Sequence, residues 1–260
     1  MLESTQQNII QQFTRQADQY SNSEFHSKGR DLVKLVDLAQ PTNQDMALDL
    51  ATGTGNTAFA VAKHARQVIA TDITLGMLHK AQSATKIKNI NNIDFLLCDA
   101  HAISFSSHSF DLVTCRAAPH HFEDVDKAVK EAYRVLKPGG RLVVIDTGAP
   151  DNVDLRKFID RIEIMRDPTH RQRYSLYEWE KIFSNAGFEI EYSHLDEDIY
   201  VFDSWMGVAG VAKGIRTNIE DTIKGAPKLT KDYFHVEIRQ GKVLSLRNDR
   251  AIIKGRRTKV

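Results

Sequence analysis

The sequence predicts an α/β fold in which a mostly parallel sheet carries helices on its faces. Two observations lead there. Between Met46 and Asp146, short apolar runs of strand length alternate with longer amphipathic stretches, the pattern of strands joined by helical crossovers. The runs also close on, or are followed at once by, small or polar residues, and in open α/β sheets that carboxyl edge is where ligands bind.

The elements follow in order. Ile9, Phe13 and Ala17 recur at helical spacing before Tyr20, so an amphipathic helix is expected to dock on the core, with a flap over the site as the alternative reading. Strands are expected at Met46–Leu50, Gln67–Thr71, Ile93–Cys98, Phe110–Cys115 and Arg141–Asp146. The alanines of Asn56–Ala65 let a helix lie close to a strand. Thr74–Ser83 opens on a Thr able to cap a helix. Asp124–Leu136 puts Val125, Ala128, Val129, Ala132, Tyr133 and Leu136 on one helical face, and Pro138-Gly139-Gly140 is read as its stop. Past Asp146 the regularity weakens. A helix over Ser175–Ala186 ends at Gly187, and Phe188–His194 reads as a strand. Ser204–Ile223 is helical but broken by Gly207, Gly210 and Gly214. His235–Arg239 and Val243–Arg247 form a hairpin around Gly241-Lys242, and Ala251–Arg257 is a last strand.

At 260 residues and 42% apolar composition, the chain suits a single domain spanning 1–260, with a core over about 30–150, an N-terminal flap over 1–29 and a lid over about 151–248. Lys+Arg total 35 against 34 Asp+Glu, which argues against a dedicated nucleic-acid binder. No apolar run reaches the ~20 residues that span a bilayer, and Met1–Tyr20 is Gln-rich without an apolar signal core. A cytoplasmic protein without membrane association is the expectation, and a homodimer is compatible with the sequence.

Chemistry concentrates in Asp49-Leu50-Ala51-Thr52-Gly53-Thr54-Gly55, between a strand and a helix. Gly53 and Gly55 allow a sharp turn and close backbone approach to a ligand, and the helix that follows offers unpaired N–H groups. Gly53-x-Gly55-x-x-Ala58 also fits a dinucleotide fingerprint, weakly. Asp72 closes the second strand, where a carboxylate can accept both hydroxyls of a ribose. Asp99 follows the third strand, where it can accept an adenine amino proton, or serve only as a turn acid.

With Ile69-Ala70-Thr71-Asp72, Asp99-Ala100, Phe110-Asp111-Leu112-Val113 and Arg134-Val135-Leu136-Lys137-Pro138-Gly139-Gly140 in sequence order, this segment resembles the motifs of class I S-adenosylmethionine-dependent methyltransferases, similar to the small-molecule enzymes of ubiquinone and menaquinone biosynthesis. The resemblance runs from about Ala47 to Asp146. Ala51 departs from a frequent Gly. The resemblance implies a Rossmann-like seven-stranded sheet of order 3-2-1-4-5-7-6 with the last strand antiparallel. It implies that Asp49 orients the loop and the methionine amino group, that Gly53 and Gly55 border methionine and ribose, and that Asp72 holds the ribose hydroxyls. Ile73 would lie on the adenine ring, Asp99 and Ala100 would read its edge, and Arg116 would line the methionine side. Tyr20 and His26 would cover the cofactor, with Phe25 beside them. That strand order puts three steps of ~4.8 Å between Cys98 and Cys115, roughly 14 Å, too far for a disulfide.

Arg116-Ala117-Ala118-Pro119-His120-His121-Phe122 follows the fourth strand, where methyl group and acceptor should meet. His120 is the candidate catalytic base; lining the pocket is the alternative. A metal at His120 and His121 is not expected, because adjacent side chains diverge and no other ligand pair has zinc spacing. The acceptor pocket is expected from the N-terminal flap, His120 and the stretch 156–225, with Tyr174, Trp179, Trp205 and Met206 as lining. Lys254, Arg256, Arg257 and Lys259 read as a solvated chain end. The expected reaction is methyl transfer from S-adenosylmethionine to a small-molecule acceptor. Three alternatives stand beside it. A nicotinamide oxidoreductase would need a Tyr-x-x-x-Lys helix, and at Tyr133 and Lys137 that spacing runs into Pro138. An RNA methyltransferase lacks support in the charge balance, and a catalytically silent adenosyl-binding module stays open.

Overall fold

A computed structural model of the chain describes residues 7, 10–14, 29–208 and 210–258. Residues 10–14 are helical, within the stretch expected to form the docked N-terminal helix. From Arg30 onward the elements are α1 (Arg30–Ala39), β1 (Met46–Leu50), α2 (Asn56–Ala62), β2 (Gln67–Asp72), α3 (Leu75–Lys88), β3 (Ile93–Leu97), β4 (Phe110–Arg116) and a single 3₁₀ turn at Pro119–His121. Then come α4 (Val125–Val135), β5 (Leu136–Thr147), α5 (Val153–Arg166), α6 (Leu176–Ala186), β6 (Phe188–Val201), α7 (Phe202–Val208), α8 (Lys213–Lys224), α9 (Lys228–Tyr233), β7 (Glu237–Arg239) and β8 (Lys242–Arg257).

The strands form one sheet of order β3-β2-β1-β4-β5-β8-β6, with the short β7 paired to β8. β1 to β5 pair in parallel, and β8 runs antiparallel between β5 and β6. This is the Rossmann-like arrangement expected, with β7 as an addition. Crossover helices bury one stripe each. Val125, Ala128, Val129 and Ala132 of α4 join Trp179, Ile182 and Phe183 of α6 in an apolar cluster on one face, where Cys98 and Cys115 are buried and free. Leu35 and Ala39 of α1 join Ala58, Val61 and Ala62 of α2 on the other. A third cluster belongs to the late chain. Ile159 and Ile162 of α5, Trp205 and Met206 of α7, and Ile219 and Ile223 of α8 close over Val243 and Leu246.

Several boundaries differ from expectation for physical reasons. α4 stops at Val135, and Pro138-Gly139-Gly140 lies inside β5 as an irregularity opposite Phe110–Leu112. Proline biases the preceding Lys137 toward extended backbone, and a Cβ on Gly140 would sit 2.8 Å from the Lys137 carbonyl oxygen. The late hairpin forms between β7 and the start of β8, but its second arm and the expected last strand are one continuous strand, β8, paired with a β6 that runs on to Val201. Asn248, Asp249 and Arg250 interrupt its apolar pattern, yet all three are buried. Arg250 Nε reaches Asp198 on β6 at 3.0 Å, and Arg247 reaches Glu197 at 2.8 Å. The expected Ser204–Ile223 helix is two, α7 and α8, separated around Gly210 at φ 60°. The basic tail is part of β8 up to Arg257, not a solvated end: Lys254 pairs with Glu191 at 2.9 Å, and Arg257 donates to the Tyr133 carbonyl at the end of α4 at 2.6 Å.

Candidate active site

Asp49, in β1, is buried beneath the loop it introduces. Its carboxylate accepts the Thr114 hydroxyl from β4 and the Thr52 hydroxyl from the loop, each at 2.6 Å. Burial, only partly offset by those hydroxyls, pushes its pKa up to about 6. The loop above it turns through left-handed residues at Ala51 (φ 51°), Gly53 (φ 56°) and Gly55 (φ 91°). A Cβ at Gly55 would lie 2.6 Å from the Phe59 ring, whereas one at Gly53 would meet nothing within 4 Å. Gly55 is therefore needed for packing, and Gly53 leaves its backbone open to the space above.

That space is a cleft of about 1120 Å³ at the carboxyl edge of the sheet, walled by Ala51–Thr54, Asp72–Thr74, Cys98–His101 and Arg116–Ala118, with Phe13 and Phe122 across it. Asp72 sits at its floor, accepting the Gly53 N–H on Oδ2 and the Thr74 N–H on Oδ1, both at 2.8 Å. Burial raises its pKa, and the backbone donors temper the rise. Ile73 and Ala100 line the same cleft. Asp99 Oδ1 accepts the His101 N–H at 2.9 Å and lies 2.6 Å from His101 Nδ1, so His101 joins the site without having been singled out in the sequence.

Arg116 donates from Nε to the Thr57 hydroxyl at 3.1 Å and from Nη1 to Asp31 Oδ2 at 2.7 Å. Arg250 Nη1 donates to the same Asp31 oxygen at 2.9 Å. Burial alone would raise the Asp31 pKa, but the two guanidiniums more than offset it and hold the carboxyl below its usual value. Asp31 thus ties α1 to β4 and β8. It sits in the first helical turn, where an acid reads as an ordinary helix-start residue.

A second cleft of about 1030 Å³ shares Phe13, Ala117 and His121 with the first. Its other walls include His120 and Thr147 from the sheet edge, Glu163 and Arg166 from α5, Tyr200 and Arg250 from β6 and β8, and Trp205 from α7. The 3₁₀ turn after β4 aims His120 at the end of β5. The His120 N–H donates to Asp146 Oδ2 at 2.7 Å, and His120 Nδ1 lies 2.6 Å from Asp146 Oδ1. A carboxylate on Nδ1 sets the tautomer that leaves Nε2 with the lone pair. Burial pulls the His120 pKa down, but the charge and hydrogen bond of Asp146, together with the charges of Glu163 and Asp167, more than offset it, so the net shift is upward. His121, with its ring centroid 4.0 Å away, is pulled to about 3 by burial and then by the charge of His120. Phe13 meets the His121 ring edge-on at 5.0 Å, so the helical 10–14 segment borders both clefts.

Of the residues expected at the cofactor, Ala51, Gly53, Asp72, Ile73, Asp99, Ala100 and Arg116 line the first cleft. Asp49 and Gly55 lie beneath it and shape its loop. Tyr20 and His26, with Phe25, lie outside the described residues. His120 lines the second cleft. Among the late-chain aromatics, Trp205 lines that cleft, but Tyr174 and Trp179 pack on each other at 5.4 Å in or against the α4–α6 cluster. Met206 is buried in the late-chain core.

Residues 48–144 match the family described as methyltransferase domain. The uncharacterized methyltransferase YcgJ of Bacillus subtilis is 31% identical over 88% of this chain and 90% of its own length. This chain belongs to the class I methyltransferases. The likeness extends to the fold. The crystal structure of YcgJ matches with a TM-score of 0.84 at 30% identity, over 88% of this chain and 98% of that one. A Bacillus halodurans protein assigned to the methyltransferases matches with 0.85 at 33% identity, over 88% and 100%. A demethylmenaquinone methyltransferase of Bacteroides fragilis is 33% identical over 48% of this chain and 52% of its own length. For a methyltransferase the two clefts make chemical sense: adjoining spaces, one floored by a carboxylate and an open glycine loop, the other holding an imidazole on a buried acid.

Proposed function

We propose that the first cleft binds S-adenosylmethionine and that the second holds a small-molecule acceptor whose proton His120 removes. The observation that carries the reading is the shared wall of Phe13, Ala117 and His121 between a cleft floored by Asp72 and a cleft containing the Asp146–His120 pair. The residues fit the donor. Asp72 keeps lone pairs for two ribose hydroxyls beyond its two backbone donors, Gly53 leaves the loop bare, Ile73 offers an apolar surface, and Asp99 lies at the far edge. When bound, this group supplies a methyl carbon on a sulfonium.

The chain's own contribution is alignment and a proton acceptor. Alignment of two reactants can supply ~7–11 kcal/mol of a barrier, and general-base help typically adds ~10²–10⁴ in rate. Asp146 holds the imidazole oriented and stabilises the imidazolium that forms. The late-chain core of α5, α7 and α8 excludes water from the acceptor side. The reading includes a cytoplasmic location, supported by the absence, among the described residues, of any helix long and apolar enough to cross a membrane.

Calorimetry with S-adenosylhomocysteine and with NAD tests the donor site directly: the former binds and the latter does not. Asp72→Ala weakens S-adenosylhomocysteine at least tenfold, since one hydrogen bond to a charged group contributes about 1.5–3 kcal/mol. NAD binding in place of the adenosyl ligand would overturn the assignment.

A further inference from the structure

The wall of the first cleft that carries Asp99 also holds an imidazole, which the reading above leaves without a task. Two groups of His101 reach one oxygen of Asp99: its backbone N–H at 2.9 Å and its Nδ1 at 2.6 Å. The other ring nitrogen, Nε2, accepts the backbone N–H of Asp124 at 3.3 Å. That donor requires the Nε2 lone pair, so the proton of the neutral ring sits on Nδ1 and is donated to Asp99. Both ring nitrogens are thereby used within the protein, and Phe122 meets the ring edge-on at 5.5 Å. His101, Asp99 and Phe122 all line the cleft.

The ring is itself held from behind. Asp124 is fixed by its place at the start of α4, where its Oδ1 accepts the Lys127 N–H at 2.9 Å. The loop that carries Asp99 and His101 is fastened to the same helix. The Ile103 N–H donates to Glu131 at 2.8 Å, and Arg134 donates to the Ile103 and Phe105 carbonyls at 2.8 and 2.7 Å. The consequence falls on Asp99. One bond to a carboxylate oxygen lets the group swivel about that contact, whereas a second donor, on a side chain anchored elsewhere, fixes its plane. Ionised, a carboxylate only accepts. An adenine edge offers it the 6-amino N–H. A 6-oxo purine offers an acceptor at that position and has its nearest N–H one ring position away, at N1. A pinned carboxylate cannot follow the donor to N1, and a loose one can.

Resting on the assignment of the first cleft to S-adenosylmethionine, we propose that His101 is a positioning residue that makes the donor site selective for a 6-amino purine. It acts through Asp99. The Nδ1–H sets the orientation of the carboxylate, and the Asp124 N–H sets the orientation of the imidazole. A site whose polar groups are held to match one base edge rejects the edge that lacks the matching donor, because its own groups are then left unpaired. The requirement at position 101 is therefore a donor where Nδ1 lies. Asn supplies an amide N–H near that point. Phe keeps a ring against Phe122 and supplies no donor, and Leu removes both.

Calorimetry with S-adenosylhomocysteine and S-inosylhomocysteine, which differ only in a 6-amino against a 6-oxo edge, tests this on the intact protein. The adenosyl ligand is expected to bind at least about tenfold tighter, the effect of one lost hydrogen bond to a charged group. His101→Phe and His101→Leu each lower that ratio at least about threefold, whereas His101→Asn keeps it within about threefold of the unsubstituted protein. Both affinities are measured on one sample, so a loss of folded protein cancels in the ratio. A ratio that holds in His101→Phe and His101→Leu while Tm falls would show that His101 only steadies the start of α4, and the proposal fails. It fails too if His101→Asn loses as much selectivity as His101→Phe. A smaller ratio than expected in the unsubstituted protein removes Asp99 as the reader of the base, and His101 with it, and leaves the ribose end of the site standing. Failure to bind S-adenosylhomocysteine at all overturns the donor site itself.

Discussion

At Ala51 an L side chain occupies left-handed backbone, φ 51°, where the relatives this sequence resembles often carry Gly. That conformation costs a non-Gly residue roughly 1–2 kcal/mol, and Gly returns about 0.5–1 kcal/mol of it through the unfolded chain. Ala51→Gly therefore stabilises the protein by under about 1 kcal/mol, a rise in Tm of about 1–3 °C for a chain of this size, with S-adenosylhomocysteine affinity retained. A thermal melt decides it, and a lowered Tm would show the loop to be held by its methyl group. His120 yields a second expectation at this scale. It is faced by Asp146, His121, His170, Glu163 and Asp167, and its pKa lies above the ordinary 6.5. A base must be neutral, so kcat climbs with pH through that raised value, and the acid limb lies above pH 6.5. Asp146→Asn removes the dominant raising charge, which shifts the limb to lower pH and lowers kcat. The stability linkage has the opposite sense: the His120–Asp146 contribution is complete below pH 6.5 and is lost as pH rises through the folded pKa. A limb that stays in place in Asp146→Asn would remove His120 as the titrating group.

Among the elements, α1 depends on a single carboxylate. Asp31 is 7% exposed and receives Arg116 from β4 and Arg250 from β8 on one oxygen. Removing one partner of a buried ion pair typically costs about 3–5 kcal/mol because the other charge is stranded. Asp31→Ala is expected to destabilise by at least about 3 kcal/mol in denaturant unfolding and to weaken donor binding by releasing Arg116. A loss below about 0.5 kcal/mol, the level of an ordinary surface change, would mean that water replaces the carboxylate. Asp31 also shows why some of the structure was illegible. β1, β2 and β4 were readable because parallel strands covered on both faces are nearly continuous apolar runs, and strand-end acids such as Asp72 follow from that reading alone. α1 has a carboxylate on its buried stripe, and in α5 the buried Glu163 stands beside Ile159 and Ile162, so the apolar period is broken where an ion pair takes its place. For the same reason β6 was read only to His194, short of the acids Asp196–Asp198, and β8 was read as two pieces on either side of Asn248–Arg250. The implied strand order made β4 and β5 neighbours, but the His120–Asp146 pair depends on the 3₁₀ turn at Pro119–His121, which no sequence pattern announced, and Arg250 contacts Asp31 from 219 residues away.

On the scale of the whole molecule, Asp49 in the sheet core and Glu163 in the late-chain core respond to acid in opposite directions, and the two tryptophans of the sequence report their surroundings separately. Trp179 lies in the α4–α6 cluster, and Trp205 lies in the cluster of α5, α7 and α8. Beneath the first cleft, Asp49 has a pKa raised to about 6 from 3.8. The folded state therefore binds its proton more tightly than the unfolded chain, and acidification from about pH 6 toward 3.8 adds stability to the sheet core. In the late-chain core, Glu163 is buried, and although burial alone would raise its pKa, Arg166 and Arg173 hold it far below the ordinary 4.5. Its contribution is present above pH 4.5 and is lost as pH falls through the depressed folded value. Each reporter is isolated by replacing the other tryptophan with Phe. Acid titration of the Trp179→Phe protein, in which Trp205 alone reports, is expected to show the emission change at higher pH than titration of the Trp205→Phe protein. The Glu163→Gln substitution removes the late-chain titration, so it flattens the Trp205 transition and leaves the Trp179 transition in place. Coincident transitions in the two single-tryptophan proteins would mean that the two cores unfold as one cooperative unit, with the packing of α5 and α7 over β8 outweighing the charge on Glu163.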